Sequence, residues 1–187
     1  MELDPTQLCV ELLKNLRIFN QKTSWLSIDK LWYDPEVRAT FYNAFLSFWE
    51  LNVDDSNSNI FIYPESLNSS FGILPFVSKL AFDRKKNLVI WKELGDLLTT
   101  TPKLFPEEVD FPKKCKCIIL QDVLRKGTTI AKIEPILKYY NWTISYYVSV
   151  FQIAENIDLL NENISQYHEL FSEDYKFVNL IKDKALQ

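Results

Sequence analysis

The first part of the chain carries apolar side chains at helical spacing. Asp4-Pro5 and Asp34-Pro35 each mark a helix start, because an aspartate caps the first backbone N–H groups and proline fits the first turn. The apolar positions that follow are Cys9, Leu12, Leu13 and Leu16 in one stretch, and Val37, Phe41, Phe45 and Phe48 in the other. The pattern predicts two amphipathic helices, each with one face on a core.

From residue 59 onward, short apolar runs typical of buried strands alternate with helical patterns. Strands are predicted at 60–63, 88–91, 117–120 and 143–151, and helices at 74–82, 130–140 and 157–171. Pro135 should kink the 130–140 helix or delay its start. The strand–helix–strand order from 60 to 91 predicts a parallel pair with a right-handed crossover. An α/β fold with a central, mostly parallel sheet flanked by helices follows.

Polar segments separate these elements. Residues 20–29, 54–59 and 64–72 are predicted to be irregular, and 95–114, with three prolines, is predicted as a long loop with or without a short hairpin. Loops as long as 95–114 in compact domains usually have a function or are mobile. The pattern of 175–186 fits either a strand or a helix.

Composition narrows the class of protein. A chain of 187 residues with 47% hydrophobic and 14% aromatic content can bury a large core, which predicts one globular domain. The formal charge is −4 with no basic tract, so nucleic acid is not an expected partner. Three cysteines and one histidine favour neither a disulfide framework nor a zinc site. No signal peptide or membrane-spanning run is recognised, so the cytoplasm is the expected location and no membrane is expected as a partner.

Candidate chemistry gathers where the strand at 117–120 leads into a helix. In α/β proteins, ligands bind at the carboxyl ends of the strands. Asp122 lies at that end, and the polar loop that follows offers N–H groups, hydroxyls and two cations to one anion, through Arg125, Lys126, Gly127, Thr128 and Thr129. A carboxylate for hydroxyls and a loop for phosphate indicate a sugar phosphate. The plainer alternatives are a helix cap for Asp122 and a solvated turn for the two cations.

The same segment resembles the phosphoribosyl-diphosphate signature of type I phosphoribosyltransferases. In that signature two acidic residues and a valine lead into a Thr/Gly-rich loop. Asp122 matches the second acid, Val123 the valine, Gly127 the loop glycine and Thr129 the closing hydroxyl, whereas Gln121 replaces the first acid. The resemblance implies the type I phosphoribosyltransferase fold over 1–187, with an N-terminal helical and hood part at 1–58, a core at 59–155 and a C-terminal part at 156–187.

Other segments resemble the orotate phosphoribosyltransferases. Lys22 and Trp25 lie in a stretch that faces the base in that family, and Gly72 lies in a loop like the one that approaches the diphosphate. Lys92, within Trp91-Lys92-Glu93, matches a diphosphate contact, and Lys103 falls in the segment of the flexible hood loop. No arginine follows the strand at 143–151, where the orotate enzymes hold the base carboxylate. The base is therefore left open.

The resemblance implies a function. The protein would bind 5-phosphoribosyl diphosphate, with Mg²⁺ carried on the diphosphate and no direct protein ligand to the metal, and transfer phosphoribose to a nucleobase. Asp122 and Gln121 would hold the ribose and support catalysis, and 125–129 would hold the 5′-phosphate. A homodimer is usual in the family. The alternatives are a non-catalytic phosphoribosyl or nucleotide sensor, a protein that uses the fold for interaction, and a different doubly wound protein with a fortuitous loop.

Overall fold

The computed structural model describes residues 4–15, 19–20, 25–26, 30–65, 72–92, 103–105, 111–152 and 157–182. The N-terminal part contains α1 (Pro5–Asn15), β1 (Phe19–Asn20), β2 (Trp25–Leu26), α2 (Lys30–Tyr33) and α3 (Pro35–Asn52). The remainder contains β3 (Ser58–Glu65), α4 (Leu74–Asp83), β4 (Asn87–Lys92), β5 (Lys103–Phe105), β6 (Lys116–Leu124), α5 (Thr129–Tyr140), β7 (Thr143–Gln152), α6 (Ile157–Gln166) and β8 (Phe171–Lys182). None of the helices within these ranges is long and apolar enough to cross a bilayer.

A six-stranded sheet in the order β5-β4-β3-β6-β7-β8 organises the chain. The five strands from β4 to β8 in that order run parallel, and only the short β5 pairs antiparallel, with β4. Parallel neighbours need a crossover connection, and α4, α5 and α6 supply those from β3 to β4, β6 to β7 and β7 to β8. The predicted α/β architecture is therefore confirmed.

Helices cover both faces of this sheet. The first face, under α1 to α4, buries Phe61, Ile118 and Val148 against helical side chains such as Phe45 and Leu80. The second face, under α5 and α6, buries a separate cluster that includes Ile62, Ile119, Ile130, Leu137 and Leu160. Burial on both faces explains why β6 is apolar at every position from Cys117 to Leu120, as predicted.

The predicted helix starts in the first part of the chain are confirmed. The Asp34 carboxylate accepts hydrogen bonds from the backbone N–H groups of Glu36 at 2.9 Å and Val37 at 3.2 Å, so it caps α3. Phe41, Phe45 and Phe48 then lie buried on one side of the helix. Asp4 occupies the equivalent place before α1, with one oxygen 3.4 Å from the N–H of Gln7.

Several predicted boundaries are wrong. β3 begins at Ser58 and runs to Glu65, because pairing with β6 starts at the Ser58–Lys116 position and pairing with β4 continues to Glu65. The segment predicted irregular at 20–29 contributes to the antiparallel β1–β2 pair. Within the segment predicted as a long loop, 95–114, β5 forms a strand that pairs antiparallel with the preceding β4.

The C-terminal part also differs from the prediction. The helix predicted at 157–171 ends at Gln166, and a single 3₁₀ turn follows at His168–Leu170. Phe171 starts β8 because it pairs with Ile144 of β7, so 175–186 resolves as a strand up to Lys182. α5 starts at Thr129 despite Pro135 in its interior, which makes the predicted late start wrong.

Candidate functional site

The crevice at the carboxyl ends of β3 and β6 is the topological switch point of the sheet, where the connections on its two sides lead to opposite faces. The two strands are parallel neighbours, but β3 leads to α4 on the first face and β6 leads to α5 on the second. The segments that leave them diverge, and such a switch point is where open α/β sheets bind ligands. Asp122 lies here at the end of β6, and Gly72 lies here just before α4.

Asp122 is a buried carboxylate at the end of an apolar strand. The residue is 8% exposed, and one oxygen of its side chain accepts a hydrogen bond from the N–H of Val123 at 3.0 Å. Burial raises the pKa of this carboxyl above its ordinary value, and the N–H contacts oppose that shift only in part. Thr128, not Asp122, is the N-cap residue of α5, so the helix-cap interpretation of Asp122 is wrong.

Gly72 brings the backbone against this carboxylate. A Cβ at Gly72 would lie 2.8 Å from the second oxygen of Asp122 and would collide with the hydroxyl of Tyr63. The residue has a φ of +46°, which favours glycine. Its carbonyl accepts a hydrogen bond from Nε1 of Trp32 at 3.2 Å, and the Trp32 ring stacks on Phe76. Sequence reasoning missed Tyr63 and Trp32, because only the fold brings them to the glycine.

Gln121 points away from Asp122. Its Nε2 donates a hydrogen bond to Oγ1 of Thr129 at 3.1 Å, and its Oε1 accepts one from the hydroxyl of Tyr147. Tyr147 belongs to the second face, whereas the oxygen of Asp122 faces Gly72 and Tyr63 on the first. Successive side chains of a strand point to opposite faces, so the two predicted ribose-binding residues do not meet side by side.

The loop from Arg125 to Thr128 is tied to α6. Nδ2 of Asn163 donates a hydrogen bond to the carbonyl of Lys126 at 2.6 Å. Gly127 is buried with a φ of +70°, and a Cβ there would lie 2.9 Å from Cδ1 of Leu160. Arg125, Lys126 and Thr128 are exposed, so the cations project from a loop whose backbone is anchored. No local signal marks Asn163 as an anchor, since the contact requires α6 to fold back over the loop.

The remaining predicted site residues are placed only in part. Lys22 lies outside the described residues, and Trp25 is described only as a backbone position in β2. Lys92 and Lys103 are opposite each other in the β4–β5 ladder, so the two predicted diphosphate contacts share one position of the sheet edge. His168 lies in the 3₁₀ turn between α6 and β8, with Nδ1 3.2 Å from the carbonyl of Ser165.

Protein ligands for a metal do not cluster in the described part of the chain. No group of three or more histidine, cysteine, aspartate or glutamate side chains within it is arranged to hold an ion. Mg²⁺ usually keeps several waters and binds through one or two carboxylates together with substrate phosphates. Among the described residues, Asp122 is the one buried carboxylate.

Solved phosphoribosyltransferases share this architecture. Orotate phosphoribosyltransferase from Aeropyrum pernix matches with a TM-score of 0.67 at 18% identity, covering 95% of this chain and 94% of that chain. Adenine phosphoribosyltransferase from Leishmania tarentolae matches with a TM-score of 0.67 at 14% identity, covering 99% and 92%. UMP synthase from Leishmania donovani gives 0.59 at 11% identity, covering 97% of this chain and 37% of that one. No protein-family model and no curated protein sequence matches the chain.

The similarity extends over nearly the whole chain although few residues are identical. A parallel sheet with flanking helices is thus common to this protein and to solved structures of orotate and adenine phosphoribosyltransferases. At these identities the likeness establishes the architecture. The chain therefore has the type I phosphoribosyltransferase fold.

Proposed function

We propose that this protein binds 5-phosphoribosyl diphosphate and transfers phosphoribose to a nucleobase with release of diphosphate. The observation that carries the proposal is the meeting of Gly72 and Asp122 at the switch point, where the backbone lies so near a buried carboxylate that a Cβ on Gly72 would be 2.8 Å from its oxygen. Structural neighbours that are orotate and adenine phosphoribosyltransferases support the same reaction class.

Asp122 would hold the ribose. Its carboxylate accepts hydrogen bonds from hydroxyl groups when ionised, and ligand binding would supply the partners that burial withholds. The same negative charge would stabilise positive charge that develops at the anomeric carbon, which is typically worth roughly 3–4 kcal/mol for a preorganised group. The 125–129 loop, with its exposed cations at the start of α5, would hold the 5′-phosphate.

The diphosphate would lie against Gly72 and the β4–β5 edge. The glycine lets the backbone approach, and Lys92 and Lys103, paired across the ladder, would contribute positive charge. Mg²⁺ bound to the diphosphate would neutralise the leaving group. Lys22 and Trp25 are proposed on the base side, and a homodimer is proposed on the resemblance alone.

A non-catalytic sensor of a phosphoribosyl compound is the second candidate. Two departures favour it. Gln121 is engaged on the opposite face, so Asp122 acts without a second acid beside it. Trp91 occupies a position where the resembling family tends to have a cation, and its buried Nε1 has no acceptor among the residues that the structure describes. Either departure would slow transfer more than it would weaken binding.

Calorimetric titration distinguishes these candidates. We expect 5-phosphoribosyl diphosphate to bind the wild-type protein with micromolar affinity in the presence of Mg²⁺ and more weakly without it. Ribose 5-phosphate and diphosphate, titrated alone, report on the two halves of the site. A panel of purine and pyrimidine bases is then screened for diphosphate release. Release with any base supports the enzyme, binding without release supports the sensor, and no binding contradicts both.

A further inference from the structure

A chain of hydrogen bonds leads from the buried sheet to the first residue of α5. The hydroxyl of Tyr147 donates to Oε1 of Gln121, and Nε2 of Gln121 donates to Oγ1 of Thr129. Tyr147 is fully buried in β7 and stacks on Phe177 with 5.4 Å between ring centroids. We call these three residues, Tyr147, Gln121 and Thr129, the Gln121 relay. Its fixed end is in the core and its other end is in the candidate phosphate loop.

The hydrogen bonds of the Gln121 relay all run one way, with donation from Tyr147 to Gln121 and from Gln121 to Thr129. Burial raises the pKa of Tyr147, which keeps the phenol protonated and able to donate, and the nearby Thr129 hydroxyl opposes that shift more weakly. The amide oxygen of Gln121 therefore accepts, and its nitrogen donates to Thr129. A threonine hydroxyl can accept hydrogen bonds but has a single proton to donate. Oγ1 of Thr129 accepts from Gln121, and the Tyr147 oxygen nearby keeps its own proton, so a bound anion would be the stronger acceptor for the Thr129 proton.

We propose that Gln121 is a positioning residue that orients the Thr129 hydroxyl so that it donates its proton to an anion held by the 125–129 loop. This inference rests on the proposed phosphate-binding role of that loop. Gln121 then does not hold the ribose itself, and its replacement of an acid serves the phosphate end of the site. Thr129 is half-buried, so it joins the core contact to the loop.

An acid at position 121 would have the opposite effect. A carboxylate has no hydrogen to give, so the Tyr147 and Thr129 hydroxyls would both donate to it. The Thr129 proton would then be unavailable to the ligand, and a negative charge would lie near the phosphate. A glutamine side chain is the same size as a glutamate, but it leaves the Thr129 proton free for the ligand and adds no negative charge near the phosphate. If Gln121 instead held the ribose, restoring the acid would strengthen binding.

A double-mutant cycle tests whether Gln121 acts through Thr129. The probe is ribose 5-phosphate, titrated into the wild type, Gln121→Met, Thr129→Val and the double variant. Each single change should weaken binding about tenfold, as expected for one hydrogen bond to a charged group, and the double variant should also be weaker by only about tenfold. Losses that multiply to about a hundredfold would show that the two residues act independently and would overturn the inference.

Two further variants, Tyr147→Phe and Gln121→Glu, check the inference independently of the cycle. Tyr147→Phe removes one buried oxygen and keeps the ring stack. Made alone, it should weaken the binding of ribose 5-phosphate, but added to Thr129→Val it should cause no further loss. Gln121→Glu should bind ribose 5-phosphate more weakly than the wild type, and tighter binding would overturn the inference. If the wild-type protein binds no ribose 5-phosphate, the proposed function and the inference are both overturned. If the wild type binds and the effects of the variants are additive, the inference about the Gln121 relay alone is overturned.

Discussion

The Gly72→Ala variant is expected to lose about 2 to 5 kcal/mol in its free energy of unfolding, the sum of a strained φ and a crowded side chain. The new methyl group would lie 2.8 Å from an oxygen of Asp122 and overlap the hydroxyl of Tyr63. Neither neighbour can withdraw easily, because both are buried side chains of central strands. Urea denaturation followed by circular dichroism measures the loss.

Gly127→Ala is the matched control. Gly127 also has a positive φ, so the backbone strain is similar in the two variants. Its new Cβ would lie 2.9 Å from Cδ1 of Leu160, the end of a side chain that can rotate away. We therefore expect a smaller loss of stability than at Gly72. A loss as large as that of Gly72→Ala would contradict the view that the crevice at Asp122 has no room for a methyl group.

The Asp122→Asn variant should bind 5-phosphoribosyl diphosphate about 10-fold to 100-fold more weakly than the wild type, because a charged acceptor of ribose hydroxyls is lost. Asparagine has nearly the same shape, so the crevice should remain intact. Titration calorimetry with Mg²⁺ present measures the change. Unchanged affinity would remove Asp122 from the site and with it the main support for the proposed function.

The same variant should be more stable than the wild type above the pKa of the buried carboxyl. Burial raises that pKa in the folded protein, so the stabilisation associated with protonated Asp122 is complete at low pH and is lost as the pH rises through the folded-state pKa. Asparagine carries no such proton. The stability of the variant minus that of the wild type should therefore rise with pH, by about 1.4 kcal/mol for each unit by which the pKa is raised.

Asp174→Asn is a control in which the expected pH dependence of stability is opposite to that of Asp122→Asn. Asp174 is exposed, and its hydrogen bonds with Lys116 and Ser172 lower its pKa. Its contribution to stability is present at neutral pH and lost as the pH falls, and it should be small because the pair is solvated. Urea denaturation at several pH values measures both variants. Parallel pH trends in the two variants would contradict the assignment of Asp122 as the buried, destabilising charge.

Local signals in the sequence identify the elements but not all of their ends. The Asp34-Pro35 cap and the apolar run before Asp122 predict α3 and β6 because both patterns act within a few residues. Ser58 gives no local sign that it starts a strand, since that start depends on the partner strand at Lys116. The pattern of 175–186 fits a strand or a helix for the same reason, because the pairing with β7 decides that it belongs to β8.

The candidate site shows the same division. Residue types and their places beside strands and helices are enough to make Asp122, Gly72 and the 125–129 loop candidates. The motif alone does not show that Gln121 and Asp122 diverge, because alternation along a strand places neighbouring side chains on opposite faces. The anchoring of Lys126 by Asn163 joins residues on different elements, and no spacing in the sequence encodes it.

The hydrogen bond from Trp32 to the carbonyl of Gly72 places an intrinsic fluorophore beside the candidate site. The indole is half-buried, stacks on Phe76 and touches the segment that a diphosphate would contact. A ligand that displaces the Gly72 segment would change the length of the hydrogen bond from the indole N–H and with it the fluorescence of Trp32. Occupancy of the crevice can therefore be followed from within the protein, without a label, by comparing the emission of the wild type with that of Trp32→Phe.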